Sequence, residues 1–211
     1  MAETEPDPVE IPDSDLDALY RFSSFATWPP PKRTGVPAPI WWQASQVVLV
    51  NCAMRRDDWL YLKPDSIDWR QGYLTFVARK TKKTHCLAMH SVVIDHLQML
   101  RQGGEYLFCP TQSHVQLYRQ WHEIQAAAKI KGPDGRPYGF HSLRQTAASR
   151  FHAEFPGTAE LLLGHALPKG KQVTAKHYLG RRLLQPLWKA QLEIAQPPSY
   201  RIDPPADRLS S

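Results

Sequence analysis

Three short stretches carry residue types that could act together on a phosphate. The first is His141-Ser142-Leu143-Arg144, with Gln145 three residues after the serine. Ser142-x-x-Gln145 reads as a capping box, which places Arg144 in the first turn of a helix. Unpaired amides and the positive end of the helix dipole favour an anion there, and a guanidinium can grip two of its oxygens at once. His141 would sit beside that anion. The second stretch is Leu162-Leu163-Gly164-His165, where a glycine stop gives the histidine a fixed position beyond a helix end. The third is Tyr178, in Thr174-Ala175-Lys176-His177-Tyr178-Leu179-Gly180. Taken singly, each is better explained as an ordinary helix start, a satisfied histidine and a packing tyrosine.

The elements that must position these groups are mostly helical. Residues 40–54 are apolar nearly all round and predict a buried helix, with a strand possible over 46–50. A short helix follows from Asp57 to Leu62. Ile67–Trp69, the turn Arg70-Gln71-Gly72 and Tyr73–Val77 predict a hairpin. A third strand over Thr84–Met89 follows the basic turn Lys80-Thr81-Lys82-Lys83. Ser91 can cap a helix over 92–101. Further helices are predicted over 112–129, 142–154 and 158–163. Leu183, Leu184, Leu187, Trp188 and Leu192 form the apolar face of a last one. Leu16, Leu19 and Tyr20 suggest a short amphipathic helix near the start, and Trp28–Arg33 should break regular structure. Chain from Pro197 onward reads as loose. The predicted class is α+β, mainly helical, with one small three-stranded antiparallel sheet.

The chain has 211 residues and a net charge of +6. Its first 17 residues hold seven acids and no base, so residues 18–211 carry 26 bases against 13 acids. A body that basic suits a polyanion. Three unpaired cysteines, Cys52, Cys86 and Cys109, argue for a reducing compartment. His85, Cys86, His90, Cys109 and His114 lack the paired spacing of a zinc site, so no metal or other cofactor is expected. The acidic N-terminus is no signal peptide, and no apolar run approaches a membrane span. The expected location is the cytoplasm, at the nucleoid.

In their order along the chain the stretches resemble the tyrosine recombinase (phage integrase) family, over about residues 40–190. Asn51-Cys52-Ala53-Met54-Arg55-Arg56-Asp57-Asp58 comes first, then the hairpin with its lysine turn, His-x-x-Arg, Leu-Gly-His and a tyrosine. The resemblance implies a catalytic domain over 39–195, between an acidic, proline-rich extension (1–38) and a proline-rich tail (196–211). It implies catalytic roles for Arg55, Lys80, His141, Arg144, His165 and Tyr178, with Asp58 in support. Lys82 or Lys83 could replace Lys80. It also implies double-stranded DNA as substrate and a homotetramer on DNA. The non-enzyme alternative is a decayed integrase that only binds DNA; a type IB topoisomerase uses similar residues.

Three departures stand out. Ala53 occupies a position where the family usually has glycine. The interval from His165 to Tyr178 is long. Residues 1–38 are too short and acidic to replace the helical DNA-clamping domain that precedes the family's catalytic domain, so an accessory protein or a separate core-binding domain is expected.

Overall fold

The computed structural model describes residues 9–101, 104–110, 113–164 and 180–202. Its long central helix, α3 (Ala38–Cys52), is buried on all sides, as its sequence predicts. The polar residues in α3 find internal partners. Ser45 Oγ donates to the Trp41 carbonyl at 2.6 Å, and Gln46 Nε2 to the Leu16 carbonyl at 2.6 Å and the Tyr200 hydroxyl at 2.8 Å. Buried polar groups without such partners would cost about 1–3 kcal/mol each.

Before α3 come α1 (Asp13–Phe22) and α2 (Pro31–Thr34). The expected break at 28–33 thus contains one helical turn. Pro31 has no amide hydrogen to lose at a helix start, and Gly35 closes the turn at φ 77°. Ile11, Leu16, Leu19 and Val36 are all buried in the common core.

After α3 the chain forms α4 (Arg56–Leu60), then β1 (Ile67–Asp68), β2 (Tyr73–Val77) and β3 (Thr84–Ala88). The sheet is antiparallel in the order β1-β2-β3. Its register pairs Ile67 with Leu74, Leu74 with Leu87 and Phe76 with His85. Leu74 and Leu87 therefore face the core, and His85 shares that side of β3.

The remaining elements are α5 (Ser91–Met99), α6 (His114–Ala127), α7 (Phe140–Glu154), α8 (Ala159–Leu163) and α9 (Gly180–Glu193). Two caps differ from expectation. His90, not Ser91, caps α5, because its Nδ1 accepts the Val92 amide at 3.2 Å. In α7 the helix begins two residues before Ser142, from an extended Gly139 whose carbonyl already accepts the Ser142 amide at 3.1 Å.

An aromatic cluster locks the site-bearing helices together. Trp41 and Trp42 of α3 pack on Trp59 of α4 (5.4 Å from Trp41), Trp121 of α6 (5.8 Å from Trp42) and Phe140 at the start of α7 (6.2 Å from Trp42).

α9 docks on β3 of its own chain. Trp188 Nε1 donates to the Cys86 carbonyl at 3.0 Å, and Gln191 Oε1 accepts the Ala88 amide at 2.9 Å. Leu187, Ala190 and Ile194 are buried, whereas Leu192 is exposed, contrary to the predicted face. The buried positions run 187, 190, 194, and 192 lies across the helix from them.

The chain after Pro197 is also not loose up to residue 200. Tyr200 is fully buried. Asp17 Oδ1 accepts from the Ser199 amide at 3.0 Å and the Ser199 hydroxyl at 2.6 Å, while Asn51 and Gln196 exchange amide hydrogen bonds.

Candidate active site

The site is built where two chain reversals meet. α3 ends on Ala53, which adopts the left-handed conformation at φ 46° and ψ 35°. That turn brings Arg55 to the start of α4 in extended backbone. α8 ends on Gly164, also left-handed at φ 66°. Between them lies Arg144, one turn inside α7.

Arg144 is 7% exposed. Its Nη1 donates to the Ala53 carbonyl and its Nη2 to the Leu163 carbonyl at 2.9 Å. Both acceptors belong to helix C-termini, whose unpaired carbonyls carry partial negative charge. Arg144 is not in the first turn of α7, where the Ser142 cap would have placed it. With α7 starting at Phe140, the side chain leaves the helix one turn further on. Gln145 likewise does not complete a capping box; its Nε2 lies 3.0 Å from His141 Nε2.

Burial first, and the neighbouring charge of Arg55 second, pull the Arg144 guanidinium down to about 10, while Asp58 acts in the opposite sense. Arg144 therefore remains a cation at neutral pH. It forms with Arg55 a pair of like charges near one carboxylate. Such a pair suits an anion with two free oxygens.

Asp58 is 6% exposed and its Oδ1 accepts the Arg79 amide at 2.7 Å. Arg79 begins the turn that joins β2 to β3, and its guanidinium lies 3.9 Å over the Tyr61 ring. The turn is closed by hydrogen bonds from the Ala78 amide to the Lys83 carbonyl and from the Lys82 amide to the Ala78 carbonyl, each 2.8 Å. Lys80, Lys82 and Lys83 are all exposed on it. Of the three, Lys83 is the one whose charge acts on His85.

The structure thus brings Arg55, Asp58 and Arg144 together and hangs the lysine turn from Asp58. His141 is exposed at the start of α7. His165 and Tyr178 lie outside the described residues. Sequence reasoning passed over His85, placing it among scattered histidines and cysteines. It is 9% exposed, and Asp58, Arg144, Arg55 and Lys83 all act on it electrostatically. A polar residue on the inward side of a strand, two residues after Lys83, was the available signal. Among the described residues no group of three or more His, Cys, Asp or Glu side chains could hold a metal ion. No helix among them is long and apolar enough to cross a membrane.

A mainly helical body with a three-stranded sheet thus carries a buried arginine between two helix C-termini, with a second arginine beside it. Residues 26–178 match the model of the phage integrase family, and the chain belongs to that family. It is 29% identical over 133 residues to tyrosine recombinase XerD of Pseudomonas putida, a match covering 56% of this chain and 44% of XerD. The match thus spans less than half the length of that relative. The fold is similar to the lambda integrase catalytic core (TM-score 0.59, 19% identity, 74% of this chain and 95% of that one). It is also similar to lambda integrase in a tetramer bound to a Holliday junction (TM-score 0.60, 19% identity, 80% and 50%).

Proposed function

We propose that this chain is a site-specific DNA recombinase that cleaves and rejoins strands through a 3′-phosphotyrosyl intermediate. The observation that carries the reading is Arg144, a buried cation fixed by two main-chain carbonyls beside Arg55. Charge on the non-bridging oxygens of a phosphodiester grows in the transition state. Cations already in place stabilise it without having to reorganise.

In this reading Tyr178 is the nucleophile. Its free pKa of about 10 leaves it protonated at neutral pH, so His141 takes the phenolic proton as the bond from oxygen to phosphorus forms. The bond from phosphorus to the 5′ oxygen breaks, and Lys80 protonates that oxygen. His165 donates to a phosphate oxygen. A 5′ hydroxyl from a second DNA strand then attacks the phosphotyrosine and regenerates Tyr178. One phosphodiester is exchanged for another, so no ATP is consumed. The basic body and the likeness to a DNA-bound tetramer support double-stranded DNA as substrate and a homotetramer as the working form. An accessory protein or a separate DNA-clamping domain would supply the remaining grip on the duplex.

The test is a suicide DNA substrate whose nick lets the 5′ product diffuse away. Wild type should accumulate a covalent adduct in the presence of EDTA, and Tyr178→Phe should bind the same DNA without forming one. Binding by wild type with no adduct would instead support a DNA-binding protein without strand chemistry.

A further inference from the structure

The contact between β3 and the end of α8 has no counterpart in the residues assigned above. The His85 ring stacks on its cross-strand partner Phe76, with centroids 5.0 Å apart and planes 10° from parallel. Its other surroundings include Gly164. A Cβ added there would lie 2.7 Å from Nε2 and 3.0 Å from Nδ1 of His85, and closer still to Cε1. With one face on Phe76, the imidazole turns its Cε1 edge toward Gly164, in space that a side chain at position 164 would fill. One residue earlier, the Leu163 carbonyl is the acceptor for Arg144 Nη2.

We propose that His85 is a positioning residue of the site: its ring seats the Gly164 joint, which sets the Leu163 carbonyl that holds Arg144. The proposal rests on the recombinase reading for its effect on rate, but the seat itself is a packing relation.

The ring suits this place electrostatically as well as sterically. Its charged neighbours are Asp58 from α4, Arg144 from α7, Arg55 from the turn before α4 and Lys83 from the β2–β3 turn. Burial is the largest influence, and with the three cations it outweighs Asp58 and holds the His85 pKa below its ordinary value. The imidazole is thus neutral at pH 7 and adds no repulsion to the arginine pair. A neutral ring that stacks on Phe76 and meets Gly164 edge-on is what the seat requires.

Three variants test it, each first checked for folding by circular dichroism and thermal unfolding. His85→Phe keeps a neutral ring that can stack on Phe76 and should form adduct within about threefold of wild type in single turnover. His85→Ala removes the seat and should lose about tenfold or more in rate at saturating DNA with DNA affinity unchanged, because small misplacements of catalytic groups cost rate steeply. Gly164→Ala should cost more in wild type than in the His85→Ala background, where the collision with the ring is gone and only the strain of the positive φ remains. Wild-type rate in His85→Ala, a His85→Phe variant as slow as His85→Ala, or equal Gly164→Ala costs in both backgrounds would each overturn the proposal. Should wild type form no adduct, the recombinase reading fails, and the same Gly164→Ala comparison read on thermal unfolding still decides the seat.

Discussion

Asp58 Oδ1 accepts the main-chain amide of Arg79 at 2.7 Å, so the carboxylate three residues after Arg55 also anchors the turn that carries Lys80. The two cationic parts of the site are therefore tied to one another through a single buried acid. A hydrogen bond to a charged group contributes about 1.5–3 kcal/mol. Asp58→Ala should lower unfolding free energy by roughly that amount and slow adduct formation more than DNA binding. Asp58→Asn retains an acceptor and should recover most of the rate. Equal behaviour of the two variants in urea titration and single turnover would refute the anchoring role.

The lysines of this turn can be separated by leaving-group chemistry. An alkoxide needs a proton to leave at neutral pH, whereas a thiol with a pKa of about 8.5 does not. If Lys80 is the acid, Lys80→Ala should lose on the order of 10²–10⁴ in cleavage, and DNA with sulfur at the bridging 5′ position should restore it. The same substrate should not restore Arg144→Ala, whose defect is at the non-bridging oxygens. Rescue of Lys82→Ala or Lys83→Ala instead would reassign the acid to that residue; the charge of Lys83 on His85 makes it the informative control.

Ala53 bears a left-handed backbone with its methyl group fully buried. Relieving the strain with glycine gains about 1–2 kcal/mol. It forfeits about 0.8 kcal/mol of methyl burial and about 0.4–1 kcal/mol through a more flexible unfolded chain. Ala53→Gly should therefore be close to neutral in urea unfolding. Ala53→Val has no such compensation, because a branched side chain is poorly tolerated at positive φ. It should destabilise the fold and slow adduct formation, since the Ala53 carbonyl holds Arg144. A stable, fully active valine variant would contradict this account.

Burial raises the pKa of Tyr20 and Cys52 to about 12 each, and that of Tyr200 further. For the tyrosines the unfolded value is near 10.0. A raised folded pKa means the native state holds the proton more tightly. The resulting stability is fully present below pH 10 and is lost as pH rises through the folded value. Each such group steepens the loss by on the order of 1 kcal/mol per pH unit above 10. Tyr200→Phe should flatten the alkaline limb in urea midpoints taken from pH 8 to 11, while costing about 1 kcal/mol at pH 8 from the lost Gln46 contact. An unchanged alkaline slope would show that Tyr200 is not protected as described.

Much of the fold was legible because its signals are local. The all-round apolar run of α3, the Arg70-Gln71-Gly72 hairpin turn and the glycine stop of α8 each follow from a few adjacent residues. The arrangement around Arg144 was not legible in that way. Its acceptors are 91 and 19 residues away, and main-chain carbonyls have no sequence signature. Ser142 resembled a cap because its spacing to Gln145 is right, but Gly139 supplies an earlier start in backbone alone. Tyr200 looked like part of a proline-rich tail, and its burial depends on Gln46, 154 residues distant. His85 was hidden by the reverse problem, since one histidine in a strand looks ordinary until Gly164 is placed against it.

Holding Arg144 by carbonyls rather than by an acidic side chain has a consequence for how the site tolerates sequence drift. No substitution at Ala53 or Leu163 deletes an acceptor so long as the path of the backbone is kept. The guanidinium is thus specified by the route of the chain and not by the identity of any one neighbour. Residues in α3 and α8 are free to vary for packing without touching the cation, and changes that bend either helix end are the ones that will disable it.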